Sequence, residues 1–193
     1  MIKAQALAKR VRDLQSSLIA EGLLANTLLQ LGHVNDVIGM SEALVAQAEA
    51  TPMVNFGTWY GFGAVAETML ELYARSGPGS DGVYRKLATR AVAVLNRFAR
   101  RYPVGAPRAR LLSGQLEALN GNPTRAVKYW QAGIRLTEPL EMKHDLARFH
   151  SALSQTSQLD SQTRKYHTEQ SLSLMAACGV SSLPPFSRMF HAA

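Results

Sequence analysis

Gly114-Gln115-Leu116-Glu117-Ala118-Leu119-Asn120-Gly121-Asn122-Pro123-Thr124-Arg125-Ala126-Val127-Lys128-Tyr129-Trp130-Gln131-Ala132-Gly133 reads as one helix, a tight turn and a second helix. Ala109, Leu112, Leu116 and Leu119 recur every three or four residues up to the turn, the spacing of one helical face. Gly121 can take the left-handed conformation that commonly ends a helix. Asn122 can cap the next helix, and Pro123 falls in its first turn, where a missing N–H costs nothing. Beyond the turn, Ala126, Trp130 and Gly133 share a face. Small residues at Gly114, Ala126 and Gly133 let two helices approach closely, and Trp130 fills the groove toward a neighbouring pair. The stretch predicts an antiparallel helical hairpin.

The same grammar extends in both directions. Phe56, Trp59, Gly63, Ala66, Leu70 and Tyr73 mark one face of a helix of about five turns. Leu87, Ala91, Val94, Leu95, Phe98 and Tyr102 mark another, and Met142, Leu146, Phe149 and Leu153 a third. Alternating β-branched runs are missing, so no strand is expected. Turn and cap signals separate the helical stretches: Gly32 to Asn35, Thr51-Pro52, Ser76-Gly77-Pro78-Gly79-Ser80, Pro103 to Pro107, Glu138-Pro139 and Leu159-Asp160. The prediction is four hairpins, 16–31 with 36–50, 54–75 with 83–102, 107–120 with 123–137 and 140–155 with 161–178, plus an N-terminal helix over 2–14. Hairpins recurring at about 34–45 residues predict a stacked solenoid. Gly114, Gly121, Ala126, Trp130 and Gly133 fall together on the small, glycine and aromatic positions of a tetratricopeptide repeat (TPR). Gly32, Val37 and Ser41 fit that register less well. The expected fold is all-α, a TPR-like solenoid of eight or nine helices in a single domain over residues 1–180, with an irregular tail over 181–193 that contains Pro184-Pro185.

Composition narrows the class without naming a reaction. Of the 193 residues, 47% are hydrophobic and 18% charged, which excludes a disordered chain. Charges interrupt every apolar run short of the roughly 18 residues that a membrane span needs. The single cysteine, Cys178, permits no intrachain disulfide and fits a reducing compartment. Its small apolar neighbours predict a buried thiol. The N-terminal stretch through Lys9, Arg10 and Arg12 lacks a signal-peptide core, and Asp13 and Glu21 argue against a transit peptide, so a cytoplasmic protein is expected.

The net charge of +7 is concentrated locally. Between Gly82 and Leu116 lie Arg85, Lys86, Arg90, Arg97, Arg100, Arg101, Arg108 and Arg110, with no Asp or Glu. Lys86, Arg90, Arg97 and Arg101 fall within about 60° of arc on a helix, away from the apolar face. They are the candidate partner-binding residues: a field of this sign attracts an acidic protein surface first and nucleic acid second. Few aromatics interleave with them, which argues against base stacking and makes nucleic acid the weaker reading.

Catalytic signatures are missing from the sequence. There is no P-loop and no nucleophile elbow. The glycines of Gly57-Thr58-Trp59-Tyr60-Gly61-Phe62-Gly63 follow no strand and read as close-packing sites rather than a phosphate loop. His33, His144, His150, His167 and His191 lack metal spacing. The carboxylate pairs Glu67 with Glu71 and Glu141 with Asp145 read as solvated faces. No catalytic residue, cofactor or metal is expected. Trp59, Tyr60 and Trp130 read as core, and the alternative is a pocket lined by them in a small-molecule-sensing domain.

Leu116 to Ile134 resembles the C-terminal helical-repeat region of large bacterial signalling proteins. Those carry a class III adenylate or guanylate cyclase domain, or a Ser/Thr kinase domain, then a sensor-type ATPase module, then TPR-like repeats. Similar stretches are Ala50-Thr51-Pro52-Met53-Val54-Asn55-Phe56, Arg97-Phe98-Ala99-Arg100-Arg101-Tyr102-Pro103, Pro107-Arg108-Ala109 and Glu138 to His150, where Leu140-Glu141-Met142 stands in place of the family's frequent Leu-Gly-Met. The resemblance spans roughly residues 20–180. It implies a non-catalytic regulatory module that binds a protein or peptide, including catalytic domains of the same or a neighbouring chain. The family's metal-binding aspartates, Walker lysine and kinase loop have no counterpart in these residues.

Overall fold

Eight α-helices make up a computed structural model that describes residues 13–76 and 81–181. Residues 2–12 of the helix expected over 2–14, and all but residue 181 of the tail expected over 181–193, lie outside the described residues, while Asp13 and Leu14 open the next helix. No strand occurs among the described residues. The helices fall in two compact units divided between Gly105 and Ala106.

The first unit holds α1 (Leu14–Gln30), α2 (Val34–Ala50), α3 (Trp59–Arg75) and α4 (Asp81–Arg101). Asp13 caps α1, its Oδ1 accepting from the backbone N–H groups of Gln15 at 3.0 Å and Ser16 at 3.2 Å. Gly32 ends that helix at φ +88°, which lets the His33 N–H reach back to the Leu28 carbonyl at 2.9 Å. A 3-10 turn, Phe56–Thr58, leads into α3, and the Asn55 side chain caps it by accepting from the Thr58 N–H. The glycine-rich run does what close packing requires. A Cβ on Gly61 would sit 3.0 Å from the Ile19 backbone nitrogen, and one on Gly22 3.1 Å from the Gly61 carbonyl. So α1 and α3 cross almost backbone to backbone, and Leu18, Val65, Met69 and Leu70 are sealed around the crossing. On α4 the predicted apolar face is the buried one: Leu87, Ala91, Val94, Leu95 and Phe98 all face inward, and Phe98 meets Phe62 with ring centroids 5.3 Å apart.

The second unit holds α5 (Ala106–Leu119), α6 (Pro123–Thr137), α7 (Lys143–Gln155) and α8 (Ser161–Ala177). α5 with α6 and α7 with α8 form the two tightest pairs, and α7 also packs on α6. Gly121 takes φ +77°, and the Asn122 N–H returns to the Glu117 carbonyl at 2.8 Å. Trp130 is 1% exposed and covers Gly114, where a Cβ would lie 2.2 Å from its Nε1. That Nε1–H donates to the Leu111 carbonyl at 3.2 Å. Phe149 repeats the arrangement one helix later, with its ring 2.2 Å from the position a Cβ on Gly133 would take.

Five expectations change. Phe56 stands in the entry turn, 67% exposed, and takes no part in the apolar face of α3. Asn122 does not cap α6 with its side chain. Its Nδ2 donates instead to Glu117 Oε2 at 3.0 Å. Cys178 is exposed, because it follows the end of α8 where the chain leaves its neighbour. Asp145 and Glu71 are buried, not solvated, since each meets an arginine: Asp145 Oδ1 lies 3.0 Å from Arg108 Nη2, and Glu71 Oε1 accepts from Arg75 Nε at 2.7 Å. Tyr60, read as core, is 56% exposed.

Candidate functional site

The cation row of α4 is displayed because its opposite face is the core. With Leu87, Ala91, Val94, Leu95 and Phe98 turned inward, Lys86, Arg97 and Arg101 are exposed and Arg90 is half-buried. The arc read from the sequence is therefore a real face. Its charge differs from the sequence count because α2 lies alongside α4 and supplies carboxylates from about forty residues upstream.

Arg90 is held between two of them. Its Nε donates to Glu49 Oε1 at 3.0 Å and its Nη2 to Glu49 Oε2 at 2.8 Å, a bidentate fork, while Nη1 reaches Glu42 Oε1 at 3.2 Å. The hydrogen bonds from Arg90 hold the Glu49 carboxyl below its ordinary range, with the charges of Arg90 and Arg97 helping and burial opposing. The Arg90 guanidinium is correspondingly harder to deprotonate, chiefly through Glu49. Arg97 Nη2 donates to the Glu49 backbone carbonyl at 3.4 Å. The Arg101 guanidinium lies over the Tyr102 ring, 5.9 Å from its centroid. Lys86 makes no ion pair among the described residues and, with Arg85, Gly82, Thr89 and Arg90, lines a cleft of about 510 Å³. Of the four candidates, then, Arg90 is committed to holding α2 against α4. Lys86, Arg97 and Arg101 present charge outward.

Two further polar clusters lie in the second unit, and neither was visible as a pair in the sequence. Asp145 and Arg108 form a buried ion pair between α7 and α5, with side chains 5% and 14% exposed. His150 and His167 face each other with Nδ1 atoms 2.8 Å apart, at 6% and 9% exposure, and Tyr166 edges onto both rings. Burial lowers both imidazoles, and the neighbouring His167 adds to the effect on His150, which is brought to about 4. Among the described residues no group of three or more His, Cys, Asp or Glu could hold a metal ion. Trp130 is core, whereas Tyr60 is 56% exposed and stacks on half-buried Trp59 at 4.1 Å. No helix among the described residues is long and apolar enough to cross a membrane.

No family model, no curated protein and no solved structure matches this chain.

Proposed function

We propose that the protein is a non-catalytic interaction module of TPR-like character, and that its partner is an acidic protein or peptide segment docked on the α4 face. The observation that carries this reading is the exposed row of Lys86, Arg97 and Arg101 on a helix whose other face is core. Arg90 has a supporting role: clamped by Glu42 and Glu49, it stiffens the surface on which the partner would lie. The TPR-like character is supported by the seating of Trp130 on Gly114 and of Phe149 on Gly133, an aromatic over a glycine at successive helix pairs. A regulatory role in a cyclase- or ATPase-linked signalling system, in the cytoplasm, follows from the resemblance of the repeat sequence to such proteins.

The test sets two polyanions of equal charge against each other. Fluorescence anisotropy is read with a labelled oligoglutamate peptide and a labelled oligonucleotide, each titrated with the protein at about 150 mM salt. Binding of the peptide that is lost in Lys86→Glu/Arg97→Glu/Arg101→Glu, with the helical CD spectrum intact, is the expected result. Preferential binding of the oligonucleotide, with a steep salt dependence, would replace this reading with a nucleic-acid-binding helical repeat. If neither polyanion binds, the acidic-partner assignment is wrong.

A further inference from the structure

We propose that the α5–α6 hairpin carries an anion-binding cleft that takes the phosphoryl group of a small phosphorylated molecule. The site lies in the second unit and is independent of the α4 face.

The cleft is built from one face of α6. Lys128, Tyr129 and Ala132 lie three, four and seven residues after Arg125, on one face of the helix, and Arg110 reaches over from α5. Together they line a cavity of about 250 Å³. Drug-sized ligands usually fill roughly 300–1,000 Å³, so this volume suits a phosphoryl group with a small body attached. Two of the three cations are also pre-positioned. The Arg110 guanidinium lies over the Tyr129 ring with its Cζ 5.7 Å from the centroid, a cation–π contact that holds it over the cleft. Arg125 Nη2 is 3.1 Å from Glu117 Oε1, and the other oxygen of that carboxylate is occupied by Asn122 Nδ2. Glu117 thus anchors Arg125 by one edge and leaves the rest of its fork available.

Charge then selects the ligand. Among the described residues no carboxylate lines the cleft, and three cations against the single Glu117 leave a surplus of two positive charges. A phosphate monoester carries about −1.5 to −2 at neutral pH. Two arginines suit its oxygens in bidentate fashion, and the lysine serves as a point charge. A single carboxylate would leave half of the surplus unmatched.

Isothermal titration calorimetry of the full chain with inorganic pyrophosphate and orthophosphate tests this at about 150 mM salt. One saturable site for either anion is expected. Arg110→Leu and Lys128→Met, both at exposed positions, should each weaken it about tenfold or more, the scale of one charge-assisted hydrogen bond. Lys86→Glu, on the other unit, should leave it unchanged, so failure here is distinguishable from failure of the acidic-partner reading. Three results would overturn the proposal: no saturable heat up to about 10 mM anion; affinity retained within twofold in the Arg110→Leu/Lys128→Met double variant with native CD; or displacement of the anion by a short oligonucleotide at lower concentration than by pyrophosphate.

Discussion

Acidification should loosen the second unit through His150 and His167, and the size of the effect can be worked from their geometry. With Nδ1 atoms 2.8 Å apart, one neutral ring donates its Nδ1–H and the other accepts. A first added proton must be held as a buried imidazolium. A second would have to occupy the accepting Nδ1 and would leave two N–H groups pointing at each other. Both folded-state values are therefore lowered, His150 to about 4, against about 6.5 in the unfolded chain. Between those values the unfolded state binds a proton that the folded state refuses, so stability falls as pH falls. The contribution is fully present above about pH 6.5 and gone below about pH 4, at about 1.4 kcal/mol per pH unit for one group. At pH 5 His150 alone costs about 2 kcal/mol, and about 3 kcal/mol by pH 4, with His167 adding in the same direction. The assay is urea unfolding followed by the fluorescence of Trp130 in a Trp59→Phe background at pH 7 and pH 5, beside an NMR titration of the histidine Cε1–H signals. His150→Leu/His167→Phe removes both partners together and serves as the reference. If wild type and this variant lose equal stability on acidification, or if the His150 signal titrates near pH 6.5, the buried-pair argument fails.

Three other outcomes are expected. Gly133→Ala forces a Cβ to within 2.2 Å of the Phe149 ring and should cost about 1–3 kcal/mol, read as a lower Tm, whereas Gly39→Ala, on α2 with open space around it, should raise stability by about 0.5–1 kcal/mol. Asp145→Leu leaves the Arg108 guanidinium in a nearly buried site without that carboxylate and should destabilise the second unit by about 3–5 kcal/mol in chemical denaturation; a loss under about 1 kcal/mol would show that the pair is solvated. Cys178 should react with Ellman's reagent in the native protein as fast as in the denatured one, because it is exposed; protection until unfolding would return it to the core.

Much of this fold is local in origin, which is why it could be read from the chain. Apolar spacing in some helices, together with turn and cap signals between all of them, placed the eight described helices to within about five residues, since both signals are local. Gly32 and Gly121 announced their turns for the same reason: a positive φ is a property of one residue. Gly114 was legible as a close-packing site, but Trp130 seats on it within its own hairpin, whereas its sequence pattern predicts it in the groove toward a neighbouring pair.

What the sequence could not determine was which charges would meet. Glu42 and Glu49 sit on a different helix from Arg90, and only the packing of α2 along α4 turns a run of cations into a clamp plus a smaller exposed row. Asp145 looked solvated until α7 brought it to Arg108 on α5, and nothing in the spacing of His150 and His167 showed that α8 would set one opposite the other. The physical reason is the range of the interactions. Helix formation and capping depend on neighbours within about four residues, whereas ion pairs, buried imidazoles and anion clefts depend on distances in space that only tertiary packing sets.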